Sequence, residues 1–181
     1  MQPEDITMLT LLTGPVHSGK TTLLEAVVAR LKDENKTISG YLSPSVRQKG
    51  DTAGYDLWDC RTGNREPFLR REGPVHWEKT GPYLCLPGAM RKARHIIASS
   101  RTFDYCIVDE IGPLELRGGG IWPALSLLTP GREVEDIWVV REKLVAEFHS
   151  RFPQASNARV LSIRDFPSPE KFLGRIEGTG T

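Results

Sequence analysis

One short stretch near the start of the chain constrains the fold more than any other feature. The residues Gly14-Pro-Val-His-Ser-Gly19-Lys20-Thr21 match the pattern G-x-x-x-x-G-K-[ST] at every fixed position. This pattern forms a phosphate-binding loop when it lies between a buried strand and a helix. Residues 8–13 are mostly apolar and predict the strand, and apolar residues at steps of three and four over 20–32 predict an amphipathic helix.

The loop predicts the contacts that a triphosphate with Mg²⁺ would make. Its glycines let backbone N–H groups wrap a phosphate, and the helix N-terminus adds a favourable dipole. Lys20 is expected to reach the β- and γ-phosphates, the Thr21 hydroxyl to bind Mg²⁺, and Thr22 to contact the α-phosphate side. The predicted nucleotide-binding residues are Gly14, Pro15, Val16, His17, Ser18, Gly19, Lys20, Thr21 and Thr22.

Two adjacent carboxylates follow a second apolar strand. Residues 103–108 predict a core strand, and Asp109 and Glu110 come directly after it. Ligands of open α/β sheets bind at the carboxyl ends of the strands, so we expect both acids to face the phosphate loop. Asp109 is predicted to coordinate Mg²⁺ together with Thr21, and Glu110 to orient and activate the attacking water.

The rest of the chain alternates strands and helices, apart from one irregular region. Further strands are predicted at 37–42, 137–140 and 160–163, and further helices at 89–100, 122–128 and 142–152. Residues 54–60 and 65–70 flank the turn signal at 61–64 and predict an antiparallel hairpin, with Pro67 at an edge or a bulge; residues 73–85 carry no assignable pattern. The prediction is one α/β domain over 1–181, with a mainly parallel sheet flanked by helices and a hairpin insertion around 50–72.

Composition excludes some functions and leaves others open. Lysine and arginine total 24 against 23 acidic residues, so the chain lacks the basic bias of a typical nucleic-acid binder. The odd number of cysteines and the absence of C-x-x-C spacing favour reduced thiols. No apolar run is long enough to cross a membrane and the N-terminus has no signal-peptide pattern, so we expect a cytoplasmic protein without a membrane partner.

Three blocks of sequence, within about residues 8–150, resemble the small P-loop nucleoside-triphosphatases first noted in thermophiles, also called cancer-related nucleoside-triphosphatases. They are the phosphate loop, residues 45–56 (S-V-R-Q-K-G-D-T-A-G-Y-D) and residues 108–116 (V-D-E-I-G-P-L-E-L). The resemblance implies a RecA-like sheet and slow Mg²⁺-dependent hydrolysis of ATP, GTP and other triphosphates, with little base selectivity. The chain departs from many members at His17, a position often held by glycine, and matches only weakly beyond Arg151.

Two arginines are further candidates for the site. Arg141 follows the predicted strand at 137–140, and Arg47 lies in the second matched block. Either could stabilise the transition-state charge or approach the nucleotide, and either could be a solvated surface arginine. Two other functions also stay open. In a nucleotide or nucleoside kinase, Glu110 would activate an acceptor hydroxyl, and in a nucleotide-dependent switch, hydrolysis would serve a protein partner.

Overall fold

The computed structural model describes residues 9–128 and 134–179. The strands of these residues form one mixed sheet. Its strands are β1 (Leu9–Thr13), β2 (Ile38–Leu42), β3 (Ser45–Gln48), β4 (Asp51–Asp59), β5 (Arg65–Arg70), β6 (Lys79–Thr80), β7 (Tyr83–Cys85), β8 (Tyr105–Ile111), β9 (Glu135–Val140) and β10 (Arg159–Ser162). Their order is β10-β1-β9-β8-β2-β4-β5-β7-β6, and β3 pairs with β4. The pairings from β10 to β2 are parallel, and those from β2 to β6 are antiparallel.

Helices cover both faces of the parallel part of the sheet. They are α1 (Lys20–Asp33), α2 (Pro87–Ala98), α3 (Pro113–Leu116), α4 (Trp122–Leu125), α5 (Val145–Arg151) and α6 (Pro169–Glu177). Apolar residues of α1 and α6 form one core with one face of the sheet, and those of α2, α4 and α5 form a second core with the other face. Among the described residues, no helix combines the length and apolar character needed to span a bilayer.

The central parallel strands are buried on both faces, as expected where helices cover both sides of a sheet. All five residues of β1 are buried, and so are Ile107 and Val108 of β8 and the four residues 137–140 of β9. Near-continuous apolar runs of this kind are typical of strands that helices cover on both sides. The predicted α/β class, with parallel strands at its centre, is confirmed. Residue 8, the first of the predicted first strand, lies outside the described residues.

The antiparallel insertion is also confirmed, and it is larger than the sequence indicates. Strands β4 and β5 form the predicted hairpin, and Pro67 lies opposite Asp56 next to a shift in register, as expected for a proline at a bulge. The unassigned residues 73–85 contribute β6 and β7, which extend the sheet beyond β5. Both are too short, at two and three residues, for period-two alternation to mark them.

Four other elements differ from the prediction. Strand β8 extends through the two acids to Ile111, so Asp109 and Glu110 lie within the strand. The predicted helix at 122–128 is a single turn, and that at 142–152 begins with a 3₁₀ turn at Glu142–Leu144. Helix α6 was not predicted, although Ser168 caps it by accepting from the Lys171 N–H and Pro169 occupies its first turn. These are recognisable start signals.

The three cysteines fit a reduced protein. Cys60, Cys85 and Cys106 are all buried, and none forms a disulfide. Cys85 and Cys106 belong to the core that contains α2, and Cys60 belongs to the core that contains α1. They serve as small apolar core residues.

A half-buried glutamate at the start of β9 gives the protein a pH-dependent stability. Burial raises the pKa of Glu135 to about 7, even though Arg159 lies 3.9 Å away and Thr10 donates a hydrogen bond to the carboxylate. The folded state therefore holds a proton that the unfolded chain has lost between about pH 4.5 and 7, so stability falls as the pH rises through this window.

Glu135→Gln should consequently stabilise the fold at high pH. The amide keeps the shape and removes the buried charge, so we expect the free energy of unfolding at pH 8 to rise by about 1–2 kcal/mol. The gain should shrink towards zero at pH 5. Urea unfolding at both pH values measures it, with Glu147→Gln on the exposed side of α5 as a control. Equal stability of variant and wild type at pH 8 would show that the charge of Glu135 carries no cost.

Candidate active site

The phosphate loop joins β1 to α1 in a form that leaves its backbone open to a ligand. Gly14 has a φ of 149°, and a side chain there would collide with Ile163. Gly19 has a φ of 90° and begins α1 with no side chain capping the helix. The first N–H groups of α1 are therefore free of side-chain caps and suit an anion.

The tip of the loop faces solvent. Pro15, Val16 and His17 are exposed, whereas Ser18 is half-buried. His17 has a φ of 59°, in the left-handed region that glycine adopts at least cost. A histidine at this position therefore holds a backbone conformation that glycine would adopt with less strain. The imidazole of His17 is exposed, and whether it contacts a phosphate stays a prediction.

Lys20 folds back over the loop. Its side chain is buried, with the residue only 6% exposed, and its Nζ donates to the carbonyl oxygens of Gly14 at 3.1 Å and Pro15 at 2.6 Å. The Ser18 hydroxyl lies 3.4 Å from the same nitrogen. The ammonium group thus lies inside the loop that the pattern assigns to the phosphates. An arriving phosphate oxygen can replace these neutral acceptors with a charged one, which is the stronger hydrogen bond.

Asp109 connects the parallel strands to the phosphate loop. The Thr21 hydroxyl donates to its Oδ2 at 2.8 Å, and the Ser43 N–H donates to the same oxygen at 3.2 Å. The Ser43 hydroxyl donates to the Asp109 carbonyl at 2.6 Å. Burial and the neighbouring Glu110 raise the pKa of Asp109 to about 6, although Thr21, Ser43 and Lys20 favour the ionised form. A cation bound nearby would stabilise the ionised form of this buried carboxylate.

The oxygen atoms around Asp109 suit Mg²⁺. Asp109 and Thr21 offer a carboxylate and a hydroxyl oxygen next to the loop, and Mg²⁺ prefers oxygen ligands. No cluster of three or more histidine, cysteine or acidic side chains able to hold a metal occurs among the residues that the structure describes. Mg²⁺ in phosphoryl-transfer sites is held by one or two protein oxygens, substrate phosphates and water, so a larger cluster is not needed.

Glu110 has a different partner from its neighbour. Its Oε1 accepts a hydrogen bond of 2.5 Å from Nε of Arg141, which follows β9. In the sheet, β9 lies between β1 and β8, so Arg141 leaves the sheet between the phosphate loop and the two acids. The side chains of Glu110 and Arg141 are 26% and 44% exposed, so both are accessible to a ligand at this edge of the sheet.

Glu115 has a structural role in the turn that follows Glu110. Its buried carboxylate accepts from the Gly112 N–H at 2.9 Å. Burial raises the pKa of Glu115, and hydrogen bonds from the backbone of Gly112, Glu115 and Ile121 oppose that rise. Glu115 therefore ties together the backbone of the segment that connects β8 to α4.

The structure brings together most of the predicted site residues. Two of them, Lys20 and Thr21, begin the helix that follows β1. The other three lie at the carboxyl ends of β8 and β9: Asp109 and Glu110 on β8, and Arg141 directly after β9. Thr22 is exposed at the start of α1.

Arg47 has a different environment. It is exposed on β3, and its guanidinium donates to the Gly50 carbonyl at 3.4 Å, within the β3–β4 turn. Its approach to the nucleotide stays a prediction. Sequence reasoning missed Ser43, which holds Asp109 in place; its signal was a polar residue directly after the second predicted strand.

Comparison with known proteins identifies relatives of the chain. The sequence model of a family described as NTPase matches residues 10–166. The nucleoside-triphosphatase THEP1 of Ignicoccus hospitalis is 31% identical over 153 residues, which cover 83% of this chain and 81% of the relative. THEP1 of Hyperthermus butylicus is 33% identical over 138 residues, covering 74% and 71% of the two chains. The resemblance drawn from the three sequence blocks is confirmed.

Solved structures support the same fold. The solution structure of a human cancer-related nucleoside triphosphatase superimposes with a TM-score of 0.67 at 22% identity, and covers 94% of this chain and 96% of that one. The crystal structure of THEP1 from Aquifex aeolicus superimposes with a TM-score of 0.60 at 19% identity, and covers 94% of this chain and 95% of that one. At this level of identity, the likeness describes the fold.

Proposed function

Since the chain belongs to the NTPase family, we propose that it is a Mg²⁺-dependent nucleoside-triphosphatase that hydrolyses ATP, GTP and other triphosphates to the diphosphate and phosphate. One observation carries the proposal: the adjacent acids of β8 have separate partners. Asp109 pairs with Thr21 on the helix of the phosphate loop, whereas Glu110 pairs with Arg141 at the end of β9. One carboxylate is thus available for the metal and the other for the water.

The loop residues account for binding. Lys20 exchanges the carbonyls of Gly14 and Pro15 for oxygens of the β- and γ-phosphates, and the open backbone N–H groups of the loop hold the β-phosphate. Asp109 and Thr21 would hold Mg²⁺, which neutralises phosphate charge when it is bound. Ser43 keeps the Asp109 carboxylate oriented towards Thr21.

Glu110 and Arg141 account for the chemistry. Glu110 orients a water molecule in line with the γ-phosphorus and accepts its proton as the new oxygen–phosphorus bond forms. The bond from the γ-phosphorus to the bridging oxygen breaks, and the diphosphate leaves. Arg141 has five N–H donors and uses Nε for Glu110, so its terminal nitrogens can bind the charge that develops on the γ-phosphoryl group.

Base selectivity should be low, because no adenine- or guanine-reading motif is recognisable in the sequence. We expect kcat/KM for ATP and GTP to agree within about tenfold, or about 1.4 kcal/mol. Phosphate release from the four ribonucleoside triphosphates and from ADP, with Mg²⁺ or with excess chelator, measures this. We expect hydrolysis of every triphosphate with Mg²⁺ and loss of activity in chelator.

The same assay, repeated with candidate acceptors and with added protein, separates the alternatives. A preference above a hundredfold for one base would contradict low selectivity and indicate a dedicated substrate. Phosphate transfer that requires a nucleoside or nucleotide acceptor would identify a kinase. Hydrolysis that stays negligible until another protein is added would identify a switch. Release of phosphate to water alone, at a rate that depends on Mg²⁺, supports the triphosphatase.

A further inference from the structure

The segment that follows β10, residues 163–166, packs directly against the start of the phosphate loop. It consists of a 3₁₀ turn, Ile163–Asp165, and the residue after it. A side chain at Gly14 would collide with the Cγ2 methyl of Ile163, so the isoleucine touches the backbone of the loop at its first residue. In the sheet, β10 pairs with β1 on the side opposite to β9 and β8. The segment therefore borders the loop on the side away from the two acids of β8.

Two apolar side chains anchor this segment and leave the arginine between them exposed. Ile163 is half-buried against the core that contains α1. Phe166 packs edge-on against the buried Phe172 of α6, with ring centroids 5.5 Å apart. Between the two, the Arg164 N–H donates to the Ser162 hydroxyl at 3.3 Å. The backbone of Arg164 is thus held in place, while its side chain is accessible to a ligand.

The guanidinium of Arg164 reaches across the end of β1. Its Nη1 lies 3.8 Å from Oε1 of Glu142, which follows β9 directly after Arg141. Because β1 lies between β10 and β9, a contact between residues that follow those two strands spans the point where β1 enters the phosphate loop. The two side chains are 64% and 53% exposed, and ion pairs of this kind contribute little to stability. A ligand can therefore take the place of Glu142 beside Arg164 at little cost.

The proposed binding mode directs the nucleoside towards this segment. The loop after β1 holds the β-phosphate, and the γ-phosphate faces Asp109 and Glu110 on β8. The α-phosphate and the nucleoside lie on the other side of the β-phosphate, so they extend away from β8 and towards the residues that follow β10. There Ile163 offers an apolar contact, and Arg164 offers a planar cation of the kind that stacks on aromatic rings and nucleobases.

We infer that residues 163–166 form the nucleoside-binding wall of the site, in which the guanidinium of Arg164 stacks on the face of the nucleobase. The inference rests on the proposed function, because it completes the binding site for the same triphosphate. Stacking uses the face of the base, which all nucleobases share, and makes no use of the hydrogen-bonding groups at its edge. The wall therefore adds affinity for any nucleoside triphosphate without preference for one base. It gives a function to a part of the chain for which the three sequence blocks predict none.

Inorganic tripolyphosphate isolates the contribution of the nucleoside, because it offers the phosphates alone. Calorimetry with Mg²⁺ and non-hydrolysable analogues of ATP and GTP measures affinity without requiring turnover. Arg164→Ala should weaken binding of both analogues by about tenfold, to the same extent, and leave the affinity for tripolyphosphate unchanged. Arg164→Lys keeps the charge and loses the planar group, so it should weaken binding of the analogues in the same way.

Two further variants control for surface charge and for the ion pair. Arg175→Ala removes an exposed arginine in the last turn of α6, and it should bind all three ligands normally. Glu142→Gln removes the charge of the partner of Arg164 and leaves the arginine in place, so it should not weaken binding of the analogues. Because the ion pair is exposed, the melting temperatures of all these variants should stay close to that of the wild type.

Each outcome decides the question. Unchanged affinity of Arg164→Ala for both analogues overturns the inference. An equal loss of affinity for tripolyphosphate, or wild-type affinity in Arg164→Lys, also overturns it, because either result shows that Arg164 acts on the phosphates through its charge. A loss of affinity in Glu142→Gln equal to that in Arg164→Ala overturns it in favour of the ion pair. These measurements do not depend on hydrolysis. A wild-type protein that binds the analogues but releases no phosphate contradicts the proposed function, and the affinities still decide the role of Arg164.

Discussion

Glu110→Gln should lower kcat for triphosphate hydrolysis by about 10²–10⁴ while leaving nucleotide affinity within about threefold of the wild-type value. The amide cannot accept the proton that water loses as it attacks the γ-phosphorus. Its oxygen can still accept the hydrogen bond that Arg141 donates to Oε1 of the glutamate. The side chain should therefore keep its place in the site after the substitution.

The geometry explains why binding and turnover should separate at this residue. The contacts expected in the ground state involve Lys20, Thr21 and Asp109, and in the structure Thr21 and Asp109 bond each other without Glu110. Glu110 faces Arg141 instead. Removing its negative charge leaves the phosphate loop and the metal ligands intact, so only the step that moves a proton loses its acceptor.

Steady-state phosphate release at saturating nucleotide measures kcat for this variant, and calorimetry with a non-hydrolysable analogue measures affinity. Glu34→Gln, directly after the C-terminal end of α1, is a matched control, because it also changes a glutamate that pairs with an arginine, at 2.6 Å, but at the end of the helix away from the phosphate loop. It should hydrolyse at the wild-type rate. Wild-type turnover by Glu110→Gln would mean that another group activates the water, and the kinase and switch alternatives would then gain support.

The parallel half of the fold could be predicted from the sequence because its signals are local. The phosphate loop requires a strand before it and a helix after it, and both β1 and α1 follow within one residue of the predicted bounds. Apolar runs mark β8 and β9, and parallel strands of an open sheet expose their carboxyl ends at one edge. Asp109 and Glu110 were therefore predictable as site residues from position alone.

What could not be predicted depends on contacts between distant segments. The assignment of separate partners to Asp109 and Glu110 requires the order of β1, β9 and β8 in the sheet, which no local pattern specifies. Arg141 was a candidate by position, but its pairing with Glu110 became evident only in three dimensions. Ser43 lies at the junction between β2 and the insertion, where no periodic pattern marks a residue that bonds Asp109.

Lys20→Ala should weaken binding of Mg²⁺-nucleotide by at least about a hundredfold, or about 2.7 kcal/mol, because the lysine supplies the main side-chain charge on the β- and γ-phosphates. The fold should survive, since the carbonyl oxygens that Lys20 contacts belong to the loop itself and Pro15 is exposed to water. We therefore expect a melting temperature within a few degrees of wild type when no nucleotide is present.

When nucleotide is added, the melting temperatures of the Lys20→Ala variant and the wild type should differ. A ligand that binds only the folded state raises stability in proportion to the logarithm of its concentration divided by Kd. Millimolar Mg²⁺-ATP should therefore raise the melting temperature of the wild type much more than that of the Lys20→Ala variant. Lys32→Ala, an exposed lysine near the other end of α1, is the matched control and should bind normally. Unchanged affinity in Lys20→Ala would mean that the phosphates bind elsewhere, because no neutral side chain at this position can replace a buried ammonium inside an anion-binding loop.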